Sequence, residues 1–166
     1  TELVKQLRTH VGGSAAKSVH FGATSQDVID TCLVLRLREA LVQMQDQLNR
    51  TCDEISRLRA AFGGQALMGV TRMQDALPVT VADRLQSWRL PLERQLTRLL
   101  EIKPRLLVVQ FGGAVGTLDK LGGKGEEVAR RLAAELGLGL PEGPWHSQRD
   151  VIAEFASWLS LLTGTL

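Results

Sequence analysis

Apolar residues recur at intervals of three and four from about Ser25 to Phe62, which is the spacing of one face of a helix. The pattern comprises Val28, Ile29, Cys32, Leu33, Leu35, Leu37, Leu41, Met44, Leu48, Cys52, Ile55 and Leu58. It predicts one helix roughly 55 Å long at 1.5 Å per residue. Gly63 and Gly64 follow directly, and we expect them to end the helix because glycine is a poor helix interior and a good left-handed terminus.

A second long helix is predicted to begin near Pro78, a residue suited to the first turn of a helix. Its apolar positions are Val81, Leu85, Trp88, Leu92, Leu96, Leu99 and Leu100. Pro91 and Pro104 fall within or directly after this pattern, and each removes an amide donor. We therefore expect kinks at both prolines and no chain break.

The rest of the chain predicts irregular segments and shorter helices. The glycine-dense stretches 112–116 and 122–125 should be irregular. A short amphipathic helix should run from about Glu126 to Leu136 and end at Gly137, and a last helix should begin near Ser147. Tyrosine is absent and residues that favour helix are abundant, so we expect a nearly all-α, long-helix bundle forming a single helical domain over residues 1–166.

The predicted long helices are apolar around more than half of their circumference. One interpretation is an antiparallel bundle contained within one chain. The other, which we favour because the apolar faces are so wide, is a bundle completed by other subunits.

Composition narrows the classes of function. The formal net charge of +2 arises from 20 basic and 18 acidic residues that are interspersed, which argues against a nucleic-acid partner. We also expect no membrane partner, because no apolar run approaches the roughly 18 residues that a membrane span needs. Cys32 and Cys52 lack a metal-ligand spacing and are interpreted as free thiols in a soluble, cytoplasmic protein. The chain opens on Thr1 without methionine and stops at Leu166 without a polar tail, so we expect a fragment of a longer chain.

Three polar segments lie at predicted helix starts. In the first, His20 to Asp27, either Thr24 or Ser25 is a natural N-cap and Asp27 suits the first turn. The same arrangement would aim backbone amides and two hydroxyls at one point, which describes an anion site. Local chemistry alone favours the cap.

The second segment, residues 69–78, contains Arg72, which can pair with a carboxylate in a bidentate manner, and Gln74, which can donate from its amide. Taken alone, it would be interpreted as a solvated turn. The third segment, residues 145–150, places His146 beside Arg149 and Asp150. The last two would ordinarily form a surface pair contributing under about 1 kcal/mol.

Together these segments resemble the fumarase/aspartase superfamily. Residues 20–27 with Asp30 and Thr31 resemble its first signature, and residues 71–80 resemble its second. Residues 113–117 and 148–150 resemble stretches of the adenylosuccinate lyase branch. Within that branch, the sequences of residues 22–27 and 145–150 are most similar to the family of bacterial 3-carboxy-cis,cis-muconate cycloisomerases.

The resemblance implies the central helical domain of the L-aspartase-like fold in a homotetramer with shared active sites. It also implies a small polycarboxylate substrate and no metal or cofactor. The implied reaction is an intramolecular addition of a carboxylate to a conjugated double bond, giving a carboxymuconolactone in protocatechuate degradation. Developing negative charge calls for preorganised donors, a role that suits Thr24 and Ser25. Arg72, Gln74 and Arg149 would bind substrate carboxylates, and His146, in preference to His20, would move the proton.

Two departures leave other functions open. Adenylosuccinate lyases carry a histidine where this chain has Arg72, which cannot donate a proton near neutral pH. The superfamily's mobile serine loop, which carries the usual general base, is not found up to Leu166. The alternatives are an adenylosuccinate lyase-like enzyme that releases fumarate, and a helical scaffold that has lost its chemistry.

Overall fold

The computed structural model describes residues 2–166, and most of them are helical. The helices are α1 (Glu2–Val11), α2 (Ser25–Phe62), α3 (Val81–Leu106), α4 (Gly125–Leu136) and α5 (Asp150–Thr163). Two strands, β1 (Ala66–Thr71) and β2 (Gln74–Thr80), form an antiparallel hairpin, and 3-10 turns cover Ser14–Ser18 and Asp119–Lys124. The expected helical fold class is confirmed, with the hairpin and α1 as elements that the sequence pattern did not predict.

Helix α2 has the bounds that its apolar spacing predicts. It ends where the Gly63 N–H donates to the Arg59 carbonyl at 2.9 Å. A Cβ on Gly63 would lie 2.4 Å from that same oxygen, so a larger residue does not fit this close approach. The 38-residue helix exposes several large apolar side chains, including Ile29 and Val42.

The segment before α3 forms the hairpin, so the prediction of a helix starting near Pro78 was wrong. Pro78 lies in β2 opposite Met68, and α3 begins at Val81. Thr71 pairs with Gln74 around a two-residue loop in which Arg72 (φ 47°) and Met73 (φ 64°) are both left-handed. A tight hairpin loop requires this backbone, but the sequence lacks the Asn-Gly pair that usually announces it.

The remaining helices follow the sequence pattern closely. Helix α3 continues through both Pro91 and Pro104 without a break, as expected. Helix α4 ends at Gly137, whose left-handed backbone (φ 62°) closes it as predicted. Helix α5 begins at Asp150, three residues after the predicted start at Ser147.

The chain forms two compact units, and whether they fold as a single domain stays a prediction. The first comprises the residues up to Arg38 together with Pro104–Val151, and the second comprises Glu39–Lys103 with Ile152–Leu166. The first unit has a core around buried Val34, Val109, Ala133 and Leu138, to which Leu35, Leu107, Leu132, Leu136 and Trp145 contribute. Full burial of a valine or leucine side chain contributes about 1.5–3 kcal/mol.

The second unit is organised around Trp158, whose side chain is only 1% exposed. Its indole N–H donates to the Gln95 carbonyl at 3.1 Å, and its ring stacks on Phe155 with centroids 5.9 Å apart. These contacts join α3 to α5 within that unit. Over residues 2–166, no helix has both the length and the apolarity to cross a membrane.

Candidate active site

The first turn of α2 places a buried carboxyl group at the centre of the first unit. Asp27 is 3% exposed and accepts four N–H groups. Its Oδ1 accepts from Gln110 Nε2 at 2.9 Å and from Gly112 N at 3.0 Å, and its Oδ2 accepts from Gly113 N at 3.0 Å and Thr24 N at 2.9 Å. Asp27 therefore joins the start of α2 to the glycine-rich segment that follows α3.

Gln110 extends this network to the third polar segment. Its Oε1 accepts the Trp145 backbone N–H at 2.7 Å, while its Nε2 donates to Asp27 and lies 3.4 Å from His146 Nδ1. Its backbone exchanges two hydrogen bonds with the Thr31 hydroxyl, at 2.9 and 3.0 Å. Gln110 thus joins the third polar segment to α2.

A second buried carboxyl group, Asp30, holds the far end of the third segment. It is 1% exposed and pairs with Arg149 Nη1 at 2.8 Å. The guanidinium also lies 5.3 Å from the Trp145 ring centroid, and the Trp145 indole donates to the Val109 carbonyl at 3.1 Å. The expected surface pair of Arg149 with Asp150 was therefore wrong, because Asp30 supplies a buried partner.

The glycine-rich segment approaches its neighbours too closely for side chains. Gly113 has a left-handed backbone (φ 68°), and a Cβ there would lie 2.7 Å from the Gly22 carbonyl oxygen. A Cβ on Gly116 would lie 3.3 Å from His146 Cε1. The glycines therefore allow residues 112–116 to pack against both the first and the third polar segments.

Thr24, one of the two residues predicted as the N-cap, directly precedes α2, but its hydroxyl does not make a cap. Its backbone N–H is bound by Asp27, and within residues 2–166 neither the Thr24 nor the Ser25 hydroxyl has a hydrogen-bond partner. Thr24 is half-buried and Ser25 is exposed. Both hydroxyls remain available to an anion at the helix start.

A cavity of about 190 Å³ lies against the first segment. Gly22 and Ala23 line one side, Gly113 and Thr117 line another, and Lys120 contributes a cationic side chain. Among residues 2–166, no three His, Cys, Asp or Glu side chains are arranged to hold a metal ion.

The other predicted site residues are placed differently. His20 is half-buried with a left-handed backbone (φ 60°), and the part of the chain that is described gives its side chain no hydrogen bond or ion pair. Arg72 and Gln74 are exposed at the turn of the hairpin and belong to the second unit. Thr24, Ser25, His146 and Arg149 lie in segments that the first unit joins through one hydrogen-bond network.

Three residues central to this network were not singled out as site residues from the sequence. Asp30 and Thr31 appear only as part of a signature, and Gln110 not at all. The available signal was a lone glutamine between an apolar run, Val108 and Val109, and a pair of glycines. A polar side chain in such a position requires buried partners.

Comparisons with known proteins cover the whole chain. A family model described as "Lyase" matches residues 1–166. A 3-carboxy-cis,cis-muconate cycloisomerase from Pseudomonas aeruginosa is 47% identical over 99% of this chain. The chain spans only 36% of that relative's length.

Two solved structures have the same fold. A fumarate lyase from Mesorhizobium sp. BNC1 superposes with a TM-score of 0.93 at 41% identity, over 99% of this chain and 38% of that one. A 3-carboxy-cis,cis-muconate lactonizing enzyme from Pseudomonas putida gives a TM-score of 0.92 at 46% identity, over 98% of this chain and 38% of that one.

Proposed function

Because the chain belongs to the fumarase/aspartase lyase superfamily, we propose that the full-length protein is a 3-carboxy-cis,cis-muconate cycloisomerase. It would convert its substrate into a carboxymuconolactone during protocatechuate degradation in the cytoplasm. The similarity of this chain to a cycloisomerase and a lactonizing enzyme, at 47% and 46% identity, supports this choice over other reactions of the superfamily.

The observation that carries the proposal is the network centred on Asp27 and Gln110. It joins the segment containing Thr24 and Ser25 to the segment containing His146. The sequences of these two segments are the ones most similar to those of the cycloisomerases. Their convergence brings hydroxyl donors and an imidazole into one unit.

The chemistry needs no reactant other than one proton, which solvent returns to the protein group that donates it. One substrate carboxylate forms a C–O bond to the conjugated double bond, whose electrons shift toward the conjugated carboxylate, and a proton then reaches the neighbouring carbon. Thr24 and Ser25 would stabilise the developing negative charge, because preorganised donors at that position lower the barrier most effectively. One imidazole would supply the proton, with His146 as the first candidate and His20 as the second.

The partners of the substrate carboxylates would be the cationic groups of Arg72 and Arg149 and the neutral amide of Gln74. The Asp30 bond engages Nη1 of Arg149, and the guanidinium carries further N–H groups that can reach a carboxylate. Asp30 neutralises much of the Arg149 charge, so Arg149 would orient a carboxylate more than attract it. Arg72 is exposed at the turn of the hairpin, where its guanidinium is accessible to a carboxylate.

We further propose a homotetramer in which neighbouring subunits complete each active site. The exposed apolar side chains of α2, including Val28, Ile29 and Val42, are the surface that such an assembly would cover. Light scattering of the full-length protein should give a tetramer, and a monomer at micromolar concentration would contradict this part of the proposal.

The test is an assay of the full-length protein with 3-carboxy-cis,cis-muconate, following lactone formation by NMR. We expect turnover, and we expect His146→Gln to reduce it by about 100-fold or more if His146 donates the proton. Release of fumarate from adenylosuccinate, without lactone formation, would instead support the lyase alternative. A folded oligomer inactive with both substrates would support a scaffold.

A further inference from the structure

The side-chain amide of Gln110 is fixed in one orientation by two unambiguous partners. The Trp145 backbone N–H can only donate, so the atom that it meets at 2.7 Å is the Gln110 carbonyl oxygen, Oε1. The other end lies 2.9 Å from Asp27 Oδ1, which already accepts the Gly112 N–H, so this end is the NH₂ group. Flipping the amide would place its NH₂ group against the Trp145 backbone N–H, so that two donors would face each other.

This orientation constrains the imidazole of His146. Gln110 Nε2 carries two hydrogens and no lone pair available for hydrogen bonding. One hydrogen is directed to Asp27, and the second is available to His146 Nδ1, 3.4 Å away. A hydrogen bond forms there only if Nδ1 accepts it, which requires that Nδ1 carries no proton.

We propose that Gln110 is a positioning residue that holds His146 as the neutral tautomer with its proton on Nε2. A proton on Nδ1 would place two donors against each other beside a buried amide that is 0% exposed. Rotating the ring by 180° would present a C–H to Gln110 and lose the bond. The Nε2 N–H has no partner within residues 2–166, so it can donate a hydrogen bond to a ligand. It cannot be released as the proton of the reaction, because an imidazolate would remain, and in this form of His146 that proton would come from His20.

Gly116 supports the same arrangement by leaving room for the ring. A Cβ at this position would lie only 3.3 Å from His146 Cε1, the atom between the two ring nitrogens. A side chain at position 116 would therefore crowd the imidazole, and the glycine leaves the ring room beside Gln110.

That the Nε2 proton serves catalysis rests on the proposed function, but the tautomer itself does not. The test uses full-length protein labelled with ¹⁵N-histidine, with magic-angle-spinning NMR at neutral pH. The difference spectrum against His146→Gln assigns the His146 signals. We expect a pyridine-like Nδ1 and a protonated Nε2. A proton on Nδ1, or an imidazolium, would overturn the proposal without any variant having to fold.

Gln110→Met separates positioning from packing. It keeps the length of the side chain but removes the donor, so the two tautomers should become mixed and kcat should fall about 10- to 100-fold, with KM changed much less. Gln95→Met is the matched control, because Gln95 is equally buried at 3% exposed and lies in the second unit. It should leave the His146 signals unchanged. An unaltered tautomer in Gln110→Met would show that another group sets it.

A failure of the proposed function would look different. If the protein forms no lactone but His146 in wild type still carries its proton on Nε2, and Gln110→Met changes that, the positioning role stands and the reaction assignment falls. If lactone forms but the His146 proton is on Nδ1, the reaction assignment stands and the positioning role of Gln110 falls.

Discussion

The Asp27 carboxyl group accepts the backbone N–H of Gly113 at 3.0 Å, across 86 residues of sequence. With the Gly112 N–H on its other oxygen, it holds the glycine-rich segment against the first turn of α2. Gly113 in turn has no Cβ, which would otherwise meet the Gly22 carbonyl. A side chain that accepts four hydrogen bonds and a residue with no side chain together determine where residues 112–116 lie.

Asp27→Asn should destabilise the protein severely while barely changing side-chain volume. The new NH₂ group would face two N–H donors, and each lost hydrogen bond to a charged group costs about 1.5–3 kcal/mol. We expect a loss of about 3 kcal/mol or more in urea denaturation of the full-length protein. Asp46→Asn is the control, since its pair with Arg50 is exposed and contributes under about 1 kcal/mol. Equal losses in the two variants would contradict the central role of Asp27.

Gly113→Ala should destabilise more than Gly137→Ala, although both glycines have positive φ angles (68° and 62°). The left-handed conformation costs alanine about 1–2 kcal/mol. Only Gly113 adds a clash with the Gly22 backbone oxygen, at 2.7 Å, whereas a Cβ on Gly137 meets no atom closer than the flexible Arg38 Nη1 at 3.4 Å. We expect about 1–3 kcal/mol of additional destabilisation by chemical denaturation. Similar values for both variants would show that the segment relaxes easily.

Thr24→Val tests whether the hydroxyl at the start of α2 stabilises the reaction. It preserves shape and leaves the backbone N–H bond to Asp27 in place. Loss of one preorganised donor should lower kcat by about 100-fold. Thr97→Val is the control, because the exposed Thr97 hydroxyl bonds only the Glu93 carbonyl of its own helix. A kcat for Thr24→Val equal to that of the control would remove this role.

The start of α3 should confer a pH-dependent stability. The Thr80 hydroxyl donates to Asp83 at 2.7 Å, and this bond, followed by that of the Thr80 N–H, lowers the pKa of Asp83 below its ordinary 3.8. A group with a lowered folded-state pKa stabilises the fold above its unfolded pKa and loses that effect as pH falls through its folded pKa.

Asp83→Asn should therefore lower Tm at pH 7, and its difference from wild type should shrink as pH falls below 3.8. Thermal denaturation monitored by circular dichroism at several pH values measures this. In a Thr80→Ala background the same substitution should have less effect, because its partner is gone. A Tm difference that is constant across the acid range would contradict the assignment.

Elements fixed by local signals could be predicted from the sequence. Helix α2 has its predicted bounds because apolar spacing, the bond from Thr24 N–H to Asp27 and Gly63 all act within a few residues of the chain. Helices α2 and α3 share the same start, a threonine followed three residues later by an aspartate. The same threonine–aspartate pattern at Thr80 and Asp83 marks the start of α3. The prediction based on Pro78 did not use this pattern.

The hairpin could not be predicted by the same reasoning. Its loop residues, Arg72 and Met73, rarely adopt left-handed backbones, and its strands alternate weakly between apolar and polar positions. The two strands pair only with each other in the described chain. Such a hairpin is marginal in water by itself, and its own residue propensities do not predict it.

The sequence by itself determined the helical class, the ends of α2 and α4 and the three polar segments, since these depend on periodicity, caps and glycine within short stretches of chain. Only the tertiary structure decided that Arg149 pairs with Asp30 and that Gln110 lies between Asp27 and His146. Those contacts join residues far apart in sequence, and their strength comes from burial, which leaves a polar group no partner but the one that the fold brings to it.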